Sequence, residues 1–389
     1  MLLIFDSHPV QYKAPVYRRL AQLRPGGFKV VYATDVTVRG HRDREFGTMV
    51  AWDTPLLEGY EHLVLHNEHG TPFSGWRSLN GRGTFALLRR ERPAAVLLSQ
   101  FLYAFDLSVF CGCRLLRIPV WIRHETQDEA FLRPAWKSAV RGIAYRLAYR
   151  GVAHAFAIGE LNREHLVRHG IAPKKISFAR YATPEPPGVD AAQRNAWRES
   201  VRKRFGIAPG ETLLLFSGKF IDKKNPGLLL ETMRLLSPEE RRQFRILFVG
   251  AGPLETDLRA QAGEFPGRVD FAGFVNQSEI ASFYAAADIL MLPSRRAGET
   301  WGLVVNEALQ AGCGVVMTDA VGCHREFGGW GRVRVMADGD ARGGAAALRD
   351  LARFPRDFDW CADAMRDYSV EAAAQAIAQR IDQLEKRNA

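Results

Sequence analysis

The sequence predicts an α/β chain built from two parallel-sheet domains in series, with a cleft between them. Two observations carry this. Short β-rich apolar runs alternate with longer helix-like segments through both halves, the pattern of βαβ units, and one proline-dense stretch interrupts the rhythm near the middle. In the first half the apolar runs are LLIF at Leu2, FKVVYA at Phe28, AVLLS at Ala95, PVWIR at Pro119 and AHAFAI near Ala153. The interruption is TPEPPG from Thr183, which resists both helix and sheet ladder, and polar residues follow it through Arg204. A hinge is expected there, with domains over 1–185 and 186–367. The second half restarts with TLLLFSG at Thr212, then FRILFVGAG, RVDFAGF, DILMLP and CGVVMTD, each leading into a helical stretch or a glycine-bearing turn. Beyond Arg342 the chain reads as helices, ending in EAAAQAIAQRIDQLEKRNA, which is rich in strong helix formers.

Length and composition fit this architecture. The 389 residues exceed one typical domain of ~150. Apolar residues at 47% and charged residues at 25% place the chain among globular proteins, and no fixed-period repeat suggests a solenoid or propeller. A net charge of +10 favours an anionic partner, whether a phosphorylated ligand, a membrane face or a nucleic acid. No recognition motif accompanies the charge, so nucleic acid is not expected. The five cysteines, Cys111, Cys113, Cys313, Cys323 and Cys361, fall in no paired metal-ligand spacing and read as reduced cytosolic thiols. The N-terminal strand lacks the basic leader and cleavage site of an export signal, and the longest apolar stretches fall far below the ~18 to 20 residues that cross a bilayer. The expectation is a cytoplasmic protein, soluble or peripheral at the inner face of the membrane.

In open parallel sheets, ligands meet the loops that follow the strands. The loop after DILMLP is the richest. It runs Ser294-Arg295-Arg296-Ala297-Gly298-Glu299-Thr300-Trp301-Gly302 into a helix from Leu303 that carries Glu307. Free amides and the positive dipole end at that helix start would let Trp301, Gly302 and Leu303 hold a diphosphate, with Gly302 permitting close approach. Glu299 and Glu307 would offer acidic oxygens to hydroxyl groups. A solvated polar face formed by Asn306, Glu307 and Gln310 is the alternative. The second candidate is Gly218-Lys219-Phe220-Ile221-Asp222-Lys223-Lys224, where Lys219 and Lys224 would stabilise a departing diphosphate unless the segment is a solvated turn. Gly250-Ala251-Gly252-Pro253 is a third strand-to-helix glycine turn, without the full GxGxxG of a dinucleotide site. In the first half, His124-Glu125 falls just past a strand end and Asp6-Ser7-His8 past another, so His124 could meet a substrate there, and His8 and Glu125 are acceptor-side candidates. Between Arg133 and Arg150, basic residues interleave with Trp136, Ile143 and Leu147. Contact with anionic lipid and a basic surface covering a core both fit that segment.

Taken in order, GKFIDKKNPGLLLE, FVGAGPLE, VDFAGFVNQSEIASFYAAADILMLPS and ETWGLVVNEALQAG resemble the retaining, nucleotide-sugar-dependent glycosyltransferases of glycosyltransferase family 4. The resemblance covers most of the chain and is strongest from Leu213 to Gly322. It implies the GT-B fold, two Rossmann-like domains facing across a cleft, with segment 368–389 a helix that crosses back to the first. It further implies that Glu307 binds the donor ribose, that Glu299 contacts the transferred sugar, that the amides around Trp301, Gly302 and Leu303 hold phosphate, and that Thr300 belongs to the donor site. Lys219 and Lys224 would neutralise the leaving diphosphate, Gly218 and Gly250 would line the donor site, and His124 would sit near the reacting carbon. The donor would be a UDP- or GDP-sugar, with no cofactor or metal. The acceptor would be a glycan, a lipid-linked molecule or a small molecule, in bacterial polysaccharide or glycoconjugate synthesis, and a peripheral membrane contact is open. One departure is Ser7-His8-Pro9, where many relatives have a glycine pair after the first strand. An epimerase built on the same fold, and a protein that binds a nucleotide sugar without turning it over, are the alternatives.

Overall fold

The computed structural model describes residues 1–38, 40–42, 49–50, 52–65 and 75–388. The strands of the first half are β1 (Leu2–Asp6), β2 (Phe28–Tyr32), β3 (His41–Arg42), β4 (Met49–Val50), β5 (His62–Val64), β6 (Ala95–Leu98), β7 (Val120–Ile122), β8 (Val152–Ala157) and β9 (Ile176–Phe178). Seven of them form a parallel sheet in the order β5-β2-β1-β6-β7-β8-β9, while β3 and β4 pair antiparallel as a short ribbon. The second half contributes β10 (Thr212–Ser217), β11 (Phe244–Val249), β12 (Val269–Gly273), β13 (Ile289–Leu292), β14 (Gly314–Thr318) and β15 (Val333–Met336). These form a second parallel sheet, ordered β12-β11-β10-β13-β14-β15. The predicted two-sheet α/β architecture is therefore the observed one. Strands β5, β9 and β15 and the ribbon add to the runs read from the sequence.

Helices cover both faces of each sheet, so the central strands are buried on both sides and read as unbroken apolar runs. Leu213, Leu215 and Leu290 pack on one face of the second sheet, and Leu214, Phe216 and Met291 on the other. The first sheet is enclosed in the same way, and one of its covering layers comes from the far end of the chain. Ala373, Ala374, Ile377 and Ile381 of the last helix, Val370–Asn388, pack with Leu2, Ile4 and Leu20. Arg19 pairs with Glu371, and Arg24 with Asp382 and Glu385, which fixes the helix along Ala14–Leu23.

In each sheet the strand order reverses once. In the second, the chain runs outward from β10 through β11 to β12, then returns to place β13 on the other side of β10. The loops after β10 and β13 thus diverge from neighbouring strand ends and leave a crevice between them, the usual ligand position in an open α/β sheet. In the first sheet the reversal lies between β1 and β6.

Candidate functional site

The loop after β10 carries the lysines and the loop after β13 carries the acid, so the reversal brings together groups 75 residues apart in sequence. Lys224 forms an ion pair and hydrogen bond with Glu299, and Ser294 Oγ donates to the same Glu299 oxygen at 3.2 Å. Lys223 Nζ donates to the Gly298 carbonyl at 2.8 Å, and its own carbonyl accepts from the Arg295 amide at 2.8 Å. Glu299 is buried. Burial alone would raise its carboxyl pKa, but Lys224, Lys223 and the hydrogen bonds from Lys224 and Ser294 outweigh it and hold the group below its ordinary value. Glu299 is therefore a fixed, ionised acceptor at neutral pH. Lys219 is half-buried in the same loop, next to Gly218. Lys223, Ser294 and Asn225, whose Oδ1 accepts from Arg295 at 3.1 Å, complete the cluster and were not singled out from the sequence.

Backbone approach explains the glycines. A Cβ on Gly250 would lie 1.9 Å from the Gly218 carbonyl oxygen, so the turns after β10 and β11 touch through main chain alone. Gly302 starts the Leu303–Gln310 helix at φ +102, and a Cβ there would also meet Val321 at 2.7 Å. The Trp301 ring is buried against Tyr181 and Phe327, and its Nε1 donates to Asn306 Oδ1 at 2.9 Å. With its preceding residue locked in this way, the helix start presents the first-turn amides in one orientation.

The alternative of a solvated polar face is overturned for Asn306 and Gln310. Asn306 is fully buried and donates to the Tyr181 carbonyl at 3.1 Å. Gln310 exchanges two hydrogen bonds with Thr183, at 2.8 and 2.9 Å. Both residues tie the helix to the segment that joins the domains. Glu307 differs: it is half-buried and lines a cavity of about 200 Å³ together with Ser217, Gly218, Gly250, Leu303 and Val304 from the second domain and Gln11 and Tyr12 from the first. Tyr284 OH donates to Glu307 Oε2 at 2.6 Å, yet burial dominates and pushes the Glu307 carboxyl up to about 7. A larger neighbouring cavity of about 560 Å³ shares Glu307, Gln11 and Gln277 and runs behind Pro184, Pro186 and Pro187.

The first domain closes the site with Glu125. Tyr12 OH donates to Glu125 Oε1 at 3.3 Å, and Thr300 Oγ1 to Oε2 at 3.5 Å, so this carboxylate spans the cleft from the cavity wall to the Glu299 loop. Further contacts hold the cleft together at this end: the Gly298 amide donates to the Ala130 carbonyl at 2.7 Å, Phe131 bridges to Ala297, and Arg296 donates to the Glu129 carbonyl at 3.1 Å.

His124 is placed otherwise than the resemblance implies. Its ring is buried, stacked on Tyr149, and both nitrogens are engaged inside the first domain. Nδ1 accepts from the Thr126 amide at 3.4 Å and Nε2 lies 2.9 Å from Tyr149 OH. Tyr149 OH in turn meets His165 Nε2 at 2.9 Å, and His165 Nδ1 meets Asp128 Oδ1 at 2.8 Å. The chain closes when neutral His124 donates from Nε2 to Tyr149, Tyr149 donates to His165, and His165 donates from Nδ1 to Asp128. Burial pushes the His124 pKa down to about 3, which keeps it neutral. The imidazole thus braces the Thr126 amide against Tyr149 inside the first domain in this conformation, and the cleft-facing group is its neighbour Glu125. His8 lies at the end of β1 with Nδ1 2.8 Å from Ser7 Oγ, beside a buried Asp6–Lys13 pair at 3.0 Å that occupies the first sheet's own reversal.

Asp128, His165 and His169 bring three potential metal-ligand atoms within 4.8 Å of one another. Arg141 and Arg168 each already pair with the Asp128 carboxylate at 3.2 Å, so its charge is neutralised without an ion. Among the described residues no helix is long and apolar enough to cross a membrane.

Residues 198–351 match the family model described as Glycosyl transferases group 1. A D-inositol 3-phosphate glycosyltransferase from Pseudarthrobacter chlorophenolicus is 34% identical over 196 residues, which cover 49% of this chain and 44% of that protein. An alpha-monoglucosyldiacylglycerol synthase from Streptococcus pneumoniae is 29% identical over 216 residues, covering 52% of this chain and 47% of that protein. The chain spans about half the length of the curated relatives it matches. Among solved structures, Anabaena Alr3699/HepE in complex with UDP superposes with a TM-score of 0.70 at 16% identity, covering 98% of this chain and 99% of that one. A glycosyltransferase from Rickettsia africae gives 0.69 at 13% identity, covering 99% and 98%. The fold is that of GT-B glycosyltransferases, and the matched segment contains Lys219, Lys224, Glu299 and Glu307.

Proposed function

We propose that the chain transfers a sugar from a nucleoside-diphosphate donor to a hydroxyl of an acceptor, with retention at the anomeric carbon. The observation that carries this reading is the meeting, at one strand-order reversal, of a lysine-held carboxylate, a helix start free to bind anions, and a second carboxylate lining an interdomain cavity.

In this reading the diphosphate rests on the amides of the Leu303–Gln310 helix start, and Glu307 accepts from the ribose hydroxyls inside the cavity. Lys224, with Lys219 beside Gly218, takes the negative charge that develops as the bond between the anomeric carbon and the diphosphate oxygen breaks. Glu299 orients the sugar hydroxyls. The acceptor oxygen forms its bond on the face the leaving group departs from, and its proton passes to a diphosphate oxygen, so no protein base is needed. Glu125 borders the space where the acceptor enters. The positive potential comes from lysines and helix amides, and closure of the two domains excludes water from the activated donor. The cavity that Glu307 shares with Gln11 and Tyr12 supports a donor held by both domains.

The test is turnover with UDP- and GDP-sugars and a panel of glycan, lipid-linked and small acceptors, following nucleoside diphosphate release. Lys224→Ala is expected to lower turnover by ~10² or more while nucleotide still binds; an unchanged rate would refute the assignment. Incubation with donor alone, followed by proton NMR, separates an epimerase, which would yield an isomeric donor without acceptor. Nucleotide binding with no product from any pair would favour a binding protein.

A further inference from the structure

The helix Ala135–Tyr149 is attached to the first domain by a narrow face. Of its residues only Gly142 and Tyr149 are buried, Tyr149 through its bonds to His124 and His165. The opposite face is apolar and open. Trp136, Val140, Ile143 and Leu147 follow the three-and-four spacing of one helical stripe, and they are 65%, 61%, 57% and 59% exposed. Leu132, in the turn that enters the helix, is 83% exposed. A core-facing helix would bury this stripe, so the reading of the segment as a basic surface covering a core is corrected: the apolar residues face outward.

Charge surrounds the stripe on both sides. At 100° per residue Lys137 lies on one flank and Arg146 and Arg150 on the other, all three exposed. From Ala130 to Gly159 the chain has no acidic residue and five basic ones. Among the described residues, Arg141 alone of those on the helix pairs with an acid, Asp128.

We infer that this face is a docking surface for an anionic phospholipid bilayer, with the apolar stripe entering the headgroup boundary and the flanking cations meeting lipid phosphates. Charge decides the occupant. Two copies related by a two-fold axis would gather Lys137, Arg146 and Arg150 of both chains around one seam, where like charges repel, whereas an anionic surface satisfies all three. The face also leads to the site: Phe131, one residue before Leu132, packs over Gly298 in the loop that carries Glu299. Docking would then set the mouth of the cleft against the membrane and favour a lipid-borne acceptor, a consequence that rests on the proposed glycosyl transfer, although the docking does not.

The test is flotation with phosphatidylcholine vesicles and with vesicles also containing phosphatidylglycerol. The wild-type chain is expected to float with the anionic vesicles, to be released by high salt, and to leave neutral vesicles largely unoccupied. K137E/R146E/R150E should weaken partition by about 100-fold, at about fivefold or more per charge. W136E/I143E should weaken it at least ~tenfold by loss of apolar insertion. All these side chains are exposed, so melting temperature and any shift on adding UDP should match wild type in both variants; the UDP shift reads the donor site and is independent of the vesicle result. Failure of the wild type to bind anionic vesicles, or equal binding by the variants, would overturn the inference. So would a wild-type dimer in solution that W136E/I143E converts to monomer, or salt-sensitive nucleic-acid retention in place of vesicle binding.

Discussion

Glu299 and Glu307 are both acids near one helix start, and their surroundings drive them apart. Glu299 has two lysines and stays ionised; Glu307 has a tyrosine hydroxyl and a cavity wall, and burial holds its carboxyl at about 7. Because the Glu307 pKa is raised on folding, the folded chain binds the extra proton between about 4.5 and about 7, and its stability falls as pH rises through that window. In the proposed reading, Glu307 accepts from the ribose hydroxyls in its ionised form. Affinity for a UDP-sugar, whose diphosphate keeps its charge across this range, should therefore drop as pH is lowered below 7, approaching tenfold per unit, and Glu307→Gln should bind weakly with a flat profile while melting higher than wild type at pH 8. Calorimetric titration and thermal melts across pH 6 to 8 check both signs. At this scale the sequence showed the acids and lysines but not their partners. Lys223 and Ser294 look like ordinary loop residues until the reversal places them beside Glu299. His124 sits at a strand end, which marks a position without saying which way a ring turns; the adjacent Glu125 took the cleft, and burial with Tyr149 took the imidazole.

At the scale of elements, legibility follows burial. Strands β1, β6, β10, β11, β13 and β14 lie inside their sheets, are covered on both faces and stand out as apolar runs. Strands β5, β9 and β15 are edges, three or four residues long and partly solvated, so HLV, ISF and VRVM carry no such signal. The helix Ala135–Tyr149 was visible as a helix, but its sequence cannot tell an inward apolar stripe from an outward one. The last helix is an element of the first domain's core although it follows the second domain in sequence. Ile377 is 1% exposed there, and Ile377→Ala should cost about 2 to 5 kcal/mol in urea unfolding. A change within a few tenths of zero would mean that the helix contributes little to the first domain.

For the molecule as a whole, two sheets with one strand-order reversal each point their open ends at a shared cleft, and the segment around Tyr181 and Thr183 is bonded to the Leu303–Gln310 helix through Asn306 and Gln310. That link puts the interdomain connection in register with the proposed diphosphate site, so a ligand there bears on both domains. The general plan was readable in the alternation of apolar runs and in the proline-dense break; the contacts across the cleft depend on side chains more than a hundred positions apart and became visible only with the fold. The most direct measurement is a crystal structure with UDP bound. It should show the diphosphate on the amides at Gly302–Val304 with Lys224 drawn onto its oxygens, and the ribose hydroxyls on Glu307. A nucleotide seated away from this helix start, with Lys224 still on Glu299 and Glu307 untouched, would contradict the account.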